Sequence, residues 1–450
     1  MIMKKTLKLL AMALMAGAMF TACGGDDKGD EPGPGPGPGD GGVIPGVSVD
    51  NMLSGSVKAG FADAIEIVGS GFDPAQDWVY IGYEKDGKTE YVRITDDVLT
   101  IKSGRISFGV PITAGYLGET FKVYLDRAAT KMELTNDLTF TMPTVAEGYI
   151  PDPEFRATLT NPGKDEGNPE IAKLFNSYGL LDVAAAAQLK TGCVAGGYAL
   201  NLYNCKAKSL EGIELFKSLQ GTIAAWLMPE IEVMDLSKWE AAPSVGYFAF
   251  FANDAGGGLP KLKKFIGGPG LYALHLTGSP KLEYCDLSRS KWLYNAQVYA
   301  NKEADYIYDN LTYLDIRKDR SAKEMGGPVE NAPNLGWKGY PNSKDDNPSA
   351  ESAWVPFVGK SWFGVADNAR ILVDYQFLLD KYSYNSDGGY DGKTYGYMTI
   401  YDAWKRGATI EVYSSKDNSK KLGTVPMYKD DADALGACGV DNAWTPDVTE

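Results

Sequence analysis

The chain holds a single histidine, His275, in 450 residues. A zinc site built on paired histidines is therefore excluded, and a Ser-His-Asp triad would have to use His275. Cysteine is also scarce, five in all and none in a C-x-x-C spacing. That is too few for a disulfide framework and gives no thiolate metal site, so no metal or cofactor is expected. Positive charge runs short too. Lys and Arg number 44 against 59 Asp and Glu, a net charge of −15. Such a field repels nucleic acid and anionic membrane surfaces, so no nucleic-acid partner is expected. The apolar run LKLLAMALMAGAMF at 7–20 falls short of the about 20 residues of a spanning helix.

What is present points to β structure with many turns: 52 glycines, 27 tyrosines and 44% hydrophobic residues. The amino terminus reads as an address. Lys4 and Lys5 precede the apolar run, and Thr21 and Ala22 lead into Cys23. Small residues before a cysteine open the backbone to a signal peptidase, and the thiol accepts a diacylglyceryl group. The segment resembles the lipobox of bacterial lipoproteins, which implies a signal peptide over 1–22 and lipidation of Cys23. Asp26, Asp27, Asp30 and Glu31 follow directly. They resemble the export signal of Bacteroides-type lipoproteins and imply the outer face of the outer membrane. Alternating Pro and Gly from Pro32 to Gly39 can form neither helix nor ladder, so 23–45 reads as a tether.

Between 46 and 143, short alternating runs recur: AIEIV, VYIGY, YVRIT, ISFGV, FKVYL and LTFTM. Period-2 alternation bounded by Gly, Asp and Pro predicts strands, and this many in under 100 residues predicts a β-sandwich. The stretch IEIVGSGFDPAQDWVYIG (65–82) resembles the IPT/TIG immunoglobulin-like family. The resemblance implies a spacer or interaction module, with glycines at positive φ and Phe72 in the core.

Between 148 and 320 the pattern changes to L-x-x-L-x-L. It occurs as IEVMDL (231–236), LYALHL (271–276), LEYCDL (282–287) and LTYLDI (311–316), with VGYFAF (245–250) and a weaker GYALNL (197–202). This resembles the leucine-rich repeat family. IPDPEFRATL, GLLDVAAAAQLK and SLEGIELFKSL resemble the helical cap of internalin-like and leucine-rich-repeat lipoproteins. Alternate residues then point into a stacked core and the others line an exposed parallel sheet. The spacing is irregular, which predicts a short, degenerate coil. With Leu274 and Leu276 inward, the middle outward row reads Asn201, Asp235, Ala249, His275, Asp286 and Asp315. Tyr203, Tyr247, Phe251, Tyr284 and Tyr313 stand beside it. Tyrosine next to acid suits ligand binding: rings stack on sugars or partner side chains, and carboxylates accept hydroxyl or cation hydrogen bonds. The plain alternative is a solvated sheet face, with His275 an ordinary surface histidine. Cys193 and Cys205 are close enough in sequence to pair, while Cys205 and Cys285 read as small buried hydrophobes.

Residues 321–360 are rich in Pro, Asn, Gly and Asp and read as a linker. A separate C-terminal β-rich domain is expected over 361–450. Its tyrosine-dense stretch 380–404 contains Tyr384, Tyr390 and Trp404, as a sugar platform or as rings packing on one another. The segment NSDGGYDGK lacks the spacing and terminal Glu of an EF-hand. No catalytic residue stands out. Acids are plentiful enough for a glycosidase, but nothing selects a pair. The sequence thus predicts a mainly β chain with some α/β: a surface-anchored, non-enzymatic lipoprotein. It would present a repeat face (Asp235, His275, Tyr284, Asp286, Tyr313, Asp315) to an extracellular protein or polysaccharide. The alternative is a glycan-binding component of polysaccharide uptake.

Overall fold

A computed structural model of the chain describes residues 42–163, 167–193, 198–219, 221–239, 248–252, 258–290, 293, 295–299, 301–303, 306–308, 310–317, 362–375, 377, 400, 403–404 and 406–425. The expected signal peptide, Cys23, most of the expected tether and the expected 321–360 linker lie outside these residues. The described chain is mainly β. No helix in it is long and apolar enough to cross a membrane.

The first unit is a two-sheet β-sandwich. A four-stranded sheet (Ser48–Val49, Ile65–Ser70, Arg105–Phe108, Leu99–Lys102) faces a six-stranded one (Leu53–Lys58, Thr135–Thr141, Thr120–Arg127, Trp78–Lys85, Lys88–Arg93, Thr130–Glu133). Alternation puts Ile65 and Ile67 from one sheet, and Val79, Ile81, Phe121, Val123 and Leu125 from the other, into one core. The unit begins before residue 46: Ile44 is buried in that core and the Gly42 amide donates to Lys131 O at 2.9 Å. The G-S-G-F turn works by close approach. Gly71 has φ +78°, and a Cβ there would lie 2.0 Å from Gly46 O. Phe72 is buried beneath it. The following turn is clasped by an ion pair whose carboxylate is buried and whose guanidinium is half-buried. Arg127 Nε and Nη2 donate to the Asp77 carboxylate at 2.6 and 2.9 Å, and Arg127 Nη2 also donates to Gly71 O at 2.8 Å.

Short helices Pro153–Leu159, Pro169–Ala172 and Val183–Ala186 stand in the segment where a helical cap was expected. Asp152 caps the first through Oδ1, which accepts from the Glu154 and Phe155 amides at 2.9 and 3.0 Å. Its Oδ2 accepts from the Lys208 and Ser209 amides, which ties the cap to the next segment. The cap also docks on the sandwich. Ala59, Ile112 and Leu180 form a small shared core, and the Ile112 amide donates to Tyr178 O at 3.0 Å.

Beyond the cap the chain winds between two sheets. Sheet I stacks Tyr198–Asn201, Gly221–Ala224, Phe248–Ala252, Leu271–Thr277, Asn295–Tyr299 and Trp362–Phe363, all parallel. Sheet II stacks Val233–Asp235, Lys264–Ile266, Tyr284–Asp286, Tyr313–Asp315, Arg370–Asp374 and Thr409–Tyr413 in parallel, closed by antiparallel Lys421–Thr424. From Gly221 to Asp374 consecutive strands alternate between the two, apart from a side hairpin, Asn301–Glu303 with Tyr306–Tyr308. The single outward row expected from sequence is therefore divided. Asn201, Ala249 and His275 belong to sheet I, and Asp235, Asp286 and Asp315 to sheet II. Both kinds of strand carry alternating apolar residues, so the motif does not distinguish them. The short separations were the clue: Leu236 to Phe250 is 14 residues and Leu276 to Leu287 is 11, and both are hops between sheets.

The core register itself holds. Leu274, Leu276, Leu287 and Leu314 are buried, and so is the inward column Met234, Phe265, Cys285, Leu314, Ile371 and Ile410. Cys205 is a buried free thiol, so it is not bridged to Cys193; Thr158 Oγ1 donates to its sulfur at 3.2 Å. The C-terminal strands 362–363, 370–374 and 409–413 add rungs to the same two sheets and share their core. The expected separate domain after residue 361 is thus a continuation of the coil.

Candidate functional site

Among the described residues of the coil, the outer face of sheet II carries a well-formed row of polar side chains. On the rungs Lys264, Tyr284, Tyr313 and Arg370 the side chains stand in register. The Tyr284 and Tyr313 rings are stacked, with centroids 4.3 Å apart and planes 2° from parallel. Lys264 Nζ lies 4.7 Å from the Tyr284 centroid and Arg370 Cζ 5.7 Å from that of Tyr313. The order along the sheet is cation, ring, ring, cation, which suits the negative faces of the rings. Both faces of each tyrosine are occupied, so the stacking on sugars expected from sequence has no ring face to use here. The tyrosines present edges and hydroxyls instead. Burial, ahead of the neighbouring carboxylates, raises the Tyr313 and Tyr284 pKa values, so both hydroxyls stay protonated.

The next outward column reads Asp235, Ile266, Asp286, Asp315, Leu372 and Glu411. Its aspartates are committed to their own backbone. Asp235 Oδ1 accepts from the Ser237 amide at 2.9 Å, Asp286 Oδ1 from Ser288 at 3.0 Å and Asp315 Oδ1 from Arg317 at 3.1 Å. Each forms a turn that ends its strand. Asp235 is exposed, Asp286 half-buried and Asp315 buried. Burial raises the Asp315 pKa, opposed by the Arg317 guanidinium, whose Nη2 donates to Oδ2 at 2.6 Å. Arg317 also lies over the Tyr413 ring at 4.3 Å. At the far end Glu411 accepts from Arg370 at 2.7 and 3.1 Å and from Tyr413 Oη at 3.1 Å, and pairs with Lys421. The Arg370 contact chiefly holds its carboxyl down at about 2.

The remaining expected site residues are placed elsewhere. His275 lies on sheet I, in register with Phe251 and Gln297. It is half-buried rather than a surface residue, and burial lowers its pKa to about 4. Asn201 is buried and its Oδ1 accepts from the Tyr203 amide. Trp404 is 4% exposed within the hydrophobic core, so it is no platform. Tyr384 and Tyr390 lie outside the described residues. Among the described residues no three His, Cys, Asp or Glu side chains come together as a metal site.

Sequence reasoning missed Lys264, Arg370, Arg317 and Glu411. A signal was there. PEIEVMD (229–235), PKLKKFI (260–266) and PKLEYCD (280–286) share one frame, and that frame marks sheet II and aligns Lys264 with Tyr284. No protein-family model, curated protein or solved structure matches the chain.

Proposed function

We propose that the chain is a bacterial outer-membrane lipoprotein, anchored at Cys23 and exposed at the cell surface, that holds an extracellular macromolecule and carries out no catalysis. In this reading the sandwich is an IPT/TIG-type immunoglobulin-like module and the coil a degenerate leucine-rich repeat of internalin-like kind. The observation that carries it is the ladder on sheet II. Lys264, Tyr284, Tyr313 and Arg370 sit on successive rungs, about 4.8 Å apart in such a sheet. A row of fixed, polar-tipped groups suits an extended ligand. Because the ring faces are taken, hydrogen bonds and charge would do the recognising, and that favours a protein segment over a sugar at this face.

The anchoring half is tested by cell fractionation. Cys23→Ser should move the protein out of the membrane fraction. Alanine at Asp26, Asp27, Asp30 and Glu31 should leave it anchored but shielded from external protease. A Cys23→Ser protein that still sediments with membranes would refute the lipoprotein reading. A second reading, a glycan-binding component of polysaccharide uptake, is favoured by Trp78, Tyr80, Tyr91 and Tyr124, which cluster on the six-stranded sheet of the sandwich away from its core.

A further inference from the structure

The chain enters and leaves the sandwich at opposite ends of one pair of strands. Leu53–Lys58 and Thr135–Thr141 lie side by side and run parallel, with Leu53 opposite Thr135 and Lys58 opposite Thr141. Segment 42–50 leads into the first strand at its Leu53 end, and the coil follows the second beyond Thr141. Pulling the two ends of the unit apart therefore draws these strands past each other along their length. The pairing holds five residue pairs in register, and the Ala59 amide closes it by donating to Thr141 O at 3.1 Å. Sliding loads all of these links at once. A hairpin pulled apart at its open end yields one link at a time.

Both ends of the pair are fastened. Ahead of Leu53, the Gly42 amide donates to Lys131 O at 2.9 Å, Ser48 and Val49 pair with Ser70 and Gly69, and the Asp50 amide donates to Val68 O at 3.0 Å. Between these links Ile44 and Val47 plug into the core. A Cβ on Gly69 would lie 2.1 Å from Ser48 O, so glycine there lets the entering chain press against its neighbour. At the other end Lys58 Nζ lies 2.6 Å from a Glu147 carboxylate oxygen, and Ala59, Ile112 and Leu180 join the sandwich to the cap. Force from the coil thus reaches the Lys58–Thr141 end through packed side chains as well as through the backbone. We propose that the sandwich is a mechanical clamp, which bears tension between the anchored amino terminus and the ligand-holding coil as shear between Leu53–Lys58 and Thr135–Thr141. That such tension arises rests on the surface-anchored reading; the geometry of the clamp does not. The unit then carries load and is more than a spacer.

Single-molecule pulling tests it, on the chain from residue 23 onward with Cys23→Ser, held by tags at its two ends. The sandwich is recognised by length: Gly42 to Thr141 is 100 residues, so its opening adds at most roughly 330–360 Å of chain. That event should come at a higher force than any event of the coil. Forced unfolding reports the unfolding rate, so the clamp is read apart from equilibrium stability. Prolines locate it. Successive amides of a strand point to opposite sides, and the Ala59 amide faces Thr135–Thr141, so the Val57 amide faces it too and that of Ser56 faces the open edge of the sheet. Val57→Pro should bring the sandwich event down to the forces of the coil. Ser56→Pro should leave it near wild type, since proline is tolerated where an edge amide faces solvent. A wild-type sandwich that opens at or below the forces of the coil overturns the proposal, whether or not Val57→Pro folds. Equal effects of the two prolines overturn it as well. Neither result touches the anchor, which fractionation reads, or the sheet II face, which binding reads.

Discussion

Asn168 closes the open edge of sheet I, and removing its amide should loosen the coil from that end. Its Oδ1 accepts from the Asn201 amide at 2.8 Å, and its Nδ2 donates to Asn201 O at 2.8 Å and Thr158 O at 3.1 Å. One buried side chain thus supplies the donor and acceptor that a neighbouring strand would have given Asn201. Asn168→Ala would leave a backbone N–H and two carbonyls without these partners in a dry site. Each such group costs about 1–3 kcal/mol, and water entering the gap recovers part of it, so a loss of about 3 kcal/mol is expected. Hydrogen exchange should show the Asn201 amide losing protection while amides of Leu271–Thr277, deeper in the sheet, keep theirs. Asn168→Asp keeps the acceptor but sets a carboxyl oxygen against two backbone carbonyls in a dry site, so it should cost at least as much as alanine. A loss below about 1 kcal/mol with Asn201 still protected would show that the cap does not stand in for a strand.

The remaining predictions test the register, the sandwich and the only histidine. Leu276→Ala should cost about 2–5 kcal/mol, while Thr312→Ala, exposed just before the Tyr313–Asp315 strand, should stay within about 0.5 kcal/mol; chemical denaturation compares them, and equal small losses would mean the register is wrong. Asp77→Ala strips the partner from Arg127 and leaves the 73–77 turn without its clasp, for an expected loss of about 2–4 kcal/mol, read by thermal melting; a melting temperature like that of wild type would contradict it. His275 should titrate near 4 in the folded protein, well below its ordinary 6.5, so the unfolded chain binds the extra proton first. Stability attributable to it is then fully present above about pH 6.5 and is lost as pH falls towards 4, up to about 3 kcal/mol. With one histidine in the chain, its NMR ring signals report the midpoint without assignment, and a value near 6.5 would refute the burial.

What could be read from the sequence was whatever depends on period. Strand alternation located the sandwich, and the inward leucines located the core, because both follow from which side of a strand a residue faces. What could not be read was which strands are neighbours. Asp235 and His275 share a motif position yet sit on different sheets, since L-x-L looks alike on either side of the coil. Partnership was hidden for the same reason. Asp286 and Asp315 look like ligand-binding acids until the Ser288 and Arg317 amides are seen to occupy them. Arg370 and Glu411 join the ladder across 41 residues of chain, a distance at which no local pattern speaks.

The central claim, that the outer face of sheet II is a binding surface, is tested most directly by a binding panel of collagen, laminin, fibronectin and the neutral polysaccharides xylan, β-glucan and galactomannan. Wild type would be measured against Tyr284→Ala with Tyr313→Ala and against Lys264→Glu with Arg370→Glu. The account predicts that both pairs weaken binding to a protein on the panel at least tenfold, about 1.4 kcal/mol. The Tyr284/Tyr313 variant should melt near wild type, since these side chains lie outside the core; the charge variant also loses the Arg370–Glu411 ion pair and melts lower, so its binding is read well below its transition. Undiminished binding by both variants would contradict it and leave the coil as scaffold.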